Sequence, residues 1–210
     1  MIISIHVPKT AGSSFLEMLS KAKYQIKKET TYPLFTRCEE NNSNKNILLD
    51  IGSSALIHGH FTFFQLKQLD LLKKNDLVSW VRDPVERVVS HYYYWKENYE
   101  VTTKLHPVQK MIVENNLSIC DFAEIDCMRN VQNYFLGENV EKYRFLGVFE
   151  EFEISIKKFD RIFHTSLSQN MIYINKTKNK LMISLKEKQH ISKLNQLDET
   201  LYKNVLKEYR

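Results

Sequence analysis

Ile2-Ile3-Ser4-Ile5-His6-Val7-Pro8-Lys9-Thr10-Ala11-Gly12-Ser13-Ser14-Phe15 places a strand, a tight loop and a helix start in immediate succession. The β-branched residues Ile2, Ile3, Ile5 and Val7 predict a strand over 2–7. Pro8 to Gly12 breaks that pattern, and a helix is expected from about Ser13, carrying Phe15, Leu16 and Leu19 inward. Such a turn aims several backbone N–H groups, and the positive end of a helix, at one point. Thr10, Ser13 and Ser14 add hydroxyl donors and Lys9 adds a mobile charge, so the stretch reads as an anion cradle. It is not a Walker A loop, which needs Gly, four residues, then Gly-Lys-Ser/Thr; here Lys9 precedes the only glycine of the stretch, Gly12. A nucleoside-triphosphate kinase thereby loses its main support. The run Asn46 to Asp50, which could pass for the acidic strand end of such a kinase, then reads as an apolar run closed by an ordinary polar residue.

The same alternation continues outward from this stretch. Ala55 to His58 is expected as a short strand and Asp76 to Val81 as a buried one. Asp83 can N-cap a helix with Pro84 in its first position and Glu86 three residues after the cap, followed by Val85, Val88, Val89 and Tyr92 at helical spacing. Helices are expected over His106 to Asn115 and Asp121 to Phe135. A strand over Arg144 to Val148 leads to a helix bearing Phe152, Ile156, Phe159 and Phe163. A last helix, Leu185 to Tyr209, carries the stripe Leu194, Leu197, Leu201 and Val205. Glu39 to Asn46 and Asn175 to Lys180 are polar and loop-like. Strands alternating with helices predict a three-layer, P-loop-like α/β fold, a central parallel sheet flanked by helices, as one domain over residues 1–210.

Composition permits this and restricts the partners. With 43% hydrophobic residues, 26% charged residues, 5 Gly and 4 Pro, the 210-residue chain can bury a full core and is neither disordered nor fibrous. A net charge of +5 suits an anionic ligand but is too small to argue for nucleic acid. Cys38, Cys120 and Cys127 are too few and scattered for a disulfide framework or a zinc site. A reducing compartment is the simplest expectation from them, cytoplasmic if the chain is complete. No apolar run approaches a membrane span, and Met1 to Val7 is too short for the core of a signal peptide.

Two further stretches carry chemistry. In Val81-Arg82-Asp83-Pro84-Val85-Glu86-Arg87-Val88-Val89-Ser90-His91-Tyr92-Tyr93, Arg82 stands at a strand end and offers a planar fork of donors suited to phosphate oxygens. Ser90 follows about two turns into the helix. Taken alone, the segment could also be a capped helix with a solvated arginine. In Ile57-His58-Gly59-His60-Phe61, two histidines at i and i+2 on a strand share one face. They could be metal ligands without a clear third partner, a bland pair, or a general base, since neutral imidazole has its pKa near the operating pH.

The stretch Pro8 to Phe15 resembles the 5′-phosphosulfate loop of the sulfotransferases that use 3′-phosphoadenosine 5′-phosphosulfate (PAPS), in the carbohydrate branch that includes the heparan sulfate 2-O-sulfotransferases. Val81 to Tyr93 resembles the 3′-phosphate motif of the same family, and the two occur in the family's order. The resemblance implies that Lys9, Thr10, Ala11, Gly12, Ser13 and Ser14 hold the 5′-phosphosulfate while Arg82 and Ser90 grip the 3′-phosphate. The His-Gly-His segment, which supplies the base in the 2-O-sulfotransferases, implies His60 as base with His58 as its neighbour, or the two exchanged. Downstream, Asn130 to Gly137 is similar to a helix-end motif, Gly147 to Phe152 to a strand-to-helix turn, and Asn195 to Tyr202 to a last helix. Lys176 and Thr177 lie where relatives place a loop over the nucleotide, and are possible ligands or part of a solvated basic loop.

The resulting expectation is sulfuryl transfer from PAPS, with adenosine 3′,5′-bisphosphate as product, to a hydroxyl acceptor, a glycan by resemblance. Lys9 would neutralise the leaving phosphate, and no metal or nucleic acid is called for. The alternatives are a P-loop-like small-molecule kinase, a non-catalytic nucleotide-binding module and, with least support, a nucleic-acid-binding protein.

Overall fold

β1 (Ile2–Ile5) runs between two parallel neighbours, and this placement sets the architecture. The computed structural model describes residues 1–22, 26–30, 56–99, 106–174 and 182–207, with the backbone alone for 27–30. The polar stretches around 39–46 and 175–180, with Cys38, Asp50, Lys176 and Thr177, lie outside the described residues. After β1 come α1 (Gly12–Lys21), β2 (Ile26–Thr30), β3 (Leu56–His60), α2 (Phe63–Gln68), β4 (Asp76–Val81) and α3 (Pro84–Glu97). Then follow α4 (Pro107–Glu114), α5 (Ile119–Glu124), α6 (Val131–Leu136), β5 (Tyr143–Val148), α7 (Phe152–Phe163), α8 (Leu185–Leu194) and α9 (Gln196–Lys207).

The described strands form one parallel five-stranded sheet in the order β2-β3-β1-β4-β5. Period-two alternation gives β1, β3, β4 and β5 two apolar faces. Ile3, Ile5, Ile57, Leu77 and Val81 pack against Leu66, Phe135, Leu136, Leu201 and Val205 of α2, α6 and α9. Leu56, Val78, Trp80 and Phe145 pack against Phe15, Leu19, Ile156 and Phe159 of α1 and α7. This is the three-layer arrangement expected from the alternation of elements. A third cluster, Val85, Val88, Val89, Tyr92, Ile112, Phe122 and Ile191, ties α3 to α4, α5 and α8. From β1 the chain passes to the β2 side of the sheet, and from β4 it passes to β5 on the other side. In open α/β sheets a crevice forms where connections diverge in this way, at the carboxyl ends of the strands. The Lys9 loop and Arg82 both emerge there.

Several boundaries differ from expectation. β2 was not expected; it is an edge strand made by main-chain pairing with β3. β1 stops at Ile5 rather than Val7, and β3 continues to His60. The helix expected over Asp121 to Phe135 is two helices, because Ile125 is extended and Asn130 sits at φ 49, ψ 43. The last helix is likewise broken at Asn195, which leaves Leu197 half exposed instead of in the buried stripe. Cys127 is disulfide-bonded and Cys120 carries a free thiol. A reducing compartment therefore loses the support that the cysteine count lent it, since spacing in sequence does not reveal which thiols meet in the fold.

Candidate active site

The cradle is built by backbone conformation. Lys9 and Ala11 both hold positive φ, 69° and 88°, while Thr10 between them does not. Alternation of this kind turns successive N–H groups toward one side. Thr10 is buried and donates its hydroxyl to the Val7 carbonyl at 2.9 Å, so the hydroxyl closes the loop. No side chain caps α1, which leaves the N–H groups of its first turn as donors for a ligand. Ser14 is buried, and its oxygen accepts from the Ile174 N–H at 2.9 Å, joining the cradle to the segment before residue 175. Gly12 is required by packing: a Cβ there would fall 2.0 Å from the His6 ring.

Arg82 reaches the same place from β4. Its Nη1 donates to the Lys9 carbonyl at 3.3 Å, so the two motifs meet directly. The guanidinium stacks 4.1 Å over the Phe149 ring, and Nε lies 3.8 Å from Glu150. The other bonds of Glu150 come from the Asp83 N–H at 3.1 Å and the Tyr202 hydroxyl at 3.0 Å. Burial lowers the Arg82 pKa and the Glu150 charge opposes that shift; the guanidinium stays charged at any ordinary pH. Burial raises the Glu150 pKa against its hydrogen bonds. Ser90 is buried on α3, whose start Asp83 caps by accepting from the Glu86 N–H at 2.9 Å with Pro84 in the first turn, as expected.

Lys9 sits with its ammonium 3.5 Å over the Tyr94 ring. Burial, and then the charge of Arg82, bring its pKa down to about 8, partly offset by Glu97.

The histidines form a stack on one face. His60 and His6 lie parallel at 4.2 Å between centroids, and His58 is 4.9 Å from His6. His60 Nδ1 is 2.7 Å from the His6 carbonyl oxygen. A carbonyl only accepts, so Nδ1 carries the proton and Nε2 the basic lone pair. His58 is instead buried, with Nδ1 2.9 Å from the Ser4 hydroxyl, whereas His60 is partly exposed. Burial lowers the His60 pKa, with the bond to His6 opposing; His6 is lowered further, by burial and then by its neighbours His60, His58 and Lys9. Among the described residues no group of three or more His, Cys, Asp or Glu is placed to hold a metal ion.

The chain is similar to heparan sulfate 2-O-sulfotransferase 1. The human, Xenopus laevis and Cricetulus griseus proteins match at 30%, 31% and 29% identity over 102 residues. Those matches cover 45% of this chain but only 29% of each relative, so the chain spans under a third of the length of the proteins it matches. No protein-family model matches. Among solved structures, mouse sulfotransferase SULT7A1 complexed with PAP aligns at a TM-score of 0.42 and 15% identity, covering 91% of this chain and 62% of that one. The resemblance to the sulfotransferases read from the Lys9 and Arg82 motifs is borne out by the curated relatives. The structure thus brings together Lys9, Thr10, Ala11, Gly12, Arg82 and the two histidines. His6, Tyr94 and Glu150 enter the site without having been singled out; the signal for His6 was a ring facing a glycine across the turn.

Proposed function

We propose that this protein transfers a sulfuryl group from PAPS to a hydroxyl, with a saccharide as the acceptor class. The observation that carries the reading is the direct meeting of the Lys9 loop with Arg82 beside a histidine whose basic nitrogen is Nε2. Two cationic donors on separate elements, one at an uncapped helix start, fit a ligand with two anionic groups such as a nucleotide phosphorylated at both 5′ and 3′. The saccharide is inferred from the named activity of the curated relatives. A P-loop-like kinase is not favoured, because the loop lacks the glycine–lysine order that such enzymes use.

In this reading the N–H groups of the cradle hold the 5′-phosphosulfate, and Arg82 with Ser90 fixes the 3′-phosphate. PAPS supplies an activated sulfuryl group whose sulfur–oxygen bond to phosphate breaks as the acceptor oxygen bonds to sulfur. His60 takes the acceptor's proton at Nε2, and the Lys9 ammonium meets the charge that appears on the departing phosphate. Most of the catalysis is positioning and electrostatics, as in phosphoryl transfer.

Adenosine 3′,5′-bisphosphate at 100 times its dissociation constant is expected to stabilise the fold by about 2.7 kcal/mol, and ATP with magnesium by much less. Arg82→Ala should weaken bisphosphate binding by about 1.5–3 kcal/mol, the worth of a charged hydrogen-bonded partner. Thermal shift and calorimetry read both. Equal stabilisation by ATP with magnesium would move the assignment to a kinase. Incubation with labelled PAPS and a glycan panel, followed by mass spectrometry, tests transfer and acceptor together.

A further inference from the structure

β4 ends at Val81, so the peptide of Arg82 projects past the sheet. Both of its backbone polar groups are taken by a single side chain. Arg82 N–H donates to Gln132 Oε1 at 2.8 Å, and Gln132 Nε2 donates to the Arg82 carbonyl at 2.8 Å. The Gln132 amide thus imitates one rung of a neighbouring strand, and this pairing fixes which way round it sits. Gln132 is fully buried, so each bond is made where water cannot substitute for it.

The support behind Gln132 is equally specific. It is the second residue of α6, a helix that none of its own side chains caps. The cap comes from α9: Asp198 accepts from the N–H groups of Gln132 at 3.1 Å and Asn133 at 2.7 Å. Asn130 Oδ1 in turn accepts from the N–H groups of Leu197 and Asp198, and Asn195 Oδ1 accepts from the Asn130 N–H. Asp198 and Arg87 are both fully buried, 4.0 Å apart, and Arg87 Nη2 donates to the Met128 carbonyl at 3.3 Å. A continuous buried network therefore runs from α9 through the start of α6 to the backbone of Arg82.

We propose that Gln132 is a positioning residue whose amide clasps the Arg82 backbone and thereby aims the guanidinium at the 3′-phosphate. This rests on the reading of Arg82 in the preceding subsection. It gives a role to the Asn130 to Gly137 stretch, read from the sequence only as similar to a helix-end motif. A planar fork binds phosphate well only in one direction, and an unclasped strand-end peptide can rotate that fork away while leaving the sheet intact. The 5′ cradle is built on β1 and α1 and is joined to Arg82 through the Lys9 carbonyl, so its own backbone N–H donors should be much less affected by loss of the clasp.

The test compares adenosine 3′,5′-bisphosphate with adenosine 5′-monophosphate by calorimetry on wild type, Gln132→Met and Gln132→Asn. Methionine keeps the volume without the bonds; asparagine keeps the amide but is one methylene too short. The expected result is a loss of roughly tenfold in bisphosphate affinity with monophosphate affinity held within about twofold. In an Arg82→Met background, Gln132→Met should cause no further selective loss, the sign of a shared interaction. Equal loss for both ligands, or none for either, overturns the proposal, because a merely structural side chain would not distinguish them. A wild type with no preference for the bisphosphate overturns the assignment of Arg82 itself; a preference that survives Gln132→Met overturns the clasp alone. Should neither variant fold, hydrogen exchange of the Gln132 side-chain amide in the wild-type bisphosphate complex decides. Slow exchange supports the clasp, and exchange at the rate of a solvated amide overturns it.

Discussion

Replacing His60 with alanine is expected to lower turnover by about 10²- to 10⁴-fold, the usual worth of a general base, with bisphosphate affinity nearly unchanged. In the proposed transfer the acceptor hydroxyl loses its proton as the sulfuryl group arrives, and His60 offers Nε2 as the basic nitrogen because Nδ1–H is committed to the His6 carbonyl. His58 is buried against Ser4, so His58→Ala should be milder. The pH profile gives a second readout. Burial lowers the His60 pKa below the usual histidine value, and only the neutral ring accepts a proton, so the acid limb of kcat/KM should lie below pH 6.5. In the same proposal Lys9 works as a cation, and burial brings its pKa down to about 8, so an alkaline limb should follow as pH rises through that value in the free enzyme. Steady-state kinetics from pH 5 to 9 at varied PAPS reads both limbs. A dead His58→Ala beside an active His60→Ala would exchange the roles. Near-normal rates and an intact acid limb in both variants would place the base elsewhere.

Arg87→Met should cost about 3–5 kcal/mol of stability, because it strips the buried Asp198 carboxylate of its counter-charge. Both groups are fully buried, and the guanidinium also donates to the Met128 carbonyl and contacts His91 Nδ1 at 3.4 Å. Burial, the largest cause of the lowered His91 pKa, remains when Arg87 is replaced, so His91 is a poor source of replacement charge. Adding Asp198→Asn to Arg87→Met should recover part of the loss, since asparagine can still accept from the first N–H groups of α6 while no charge remains stranded. Urea unfolding of the single and double variants measures both effects. A double variant no more stable than Arg87→Met would show that the carboxylate is not what the mutation strands.

These residues also show what kind of information the chain carries locally. The Asp83 cap, Pro84 and the apolar spacing of Val85, Val88, Val89 and Tyr92 lie within ten positions of one another, and α3 forms where they indicate. The cradle was legible for the same reason, as adjacent residues with defined turn chemistry. The break before α6 was not, because the left-handed Asn130 is held by bonds to Asn195, Leu197 and Asp198, more than sixty positions away. Gln132 looks like an ordinary helical residue until the fold places it against Arg82, fifty positions earlier. β2 escaped notice because Ile26-Lys27-Lys28-Glu29-Thr30 lacks apolar alternation; backbone pairing at a sheet edge leaves little trace in side-chain pattern. Which nitrogen of His60 is basic was equally hidden, since it depends on the carbonyl of His6, more than fifty positions earlier.

The Lys9 amine, resting on Tyr94 with its pKa near 8, has a consequence for chemical labelling. At pH 7 roughly one such amine in ten is unprotonated, against about one in a few thousand for an ordinary lysine. The unprotonated amine is the nucleophile. A limiting dose of an acylating ester at neutral pH should therefore mark Lys9 ahead of the surface lysines, as peptide mass mapping would reveal. An anion seated in the cradle would raise the pKa and shield the amine, so the fall in labelling would report occupancy without any acceptor or turnover. Electrophiles carrying a phosphate or sulfate group would be drawn to the same nitrogen, which opens the site to covalent capture.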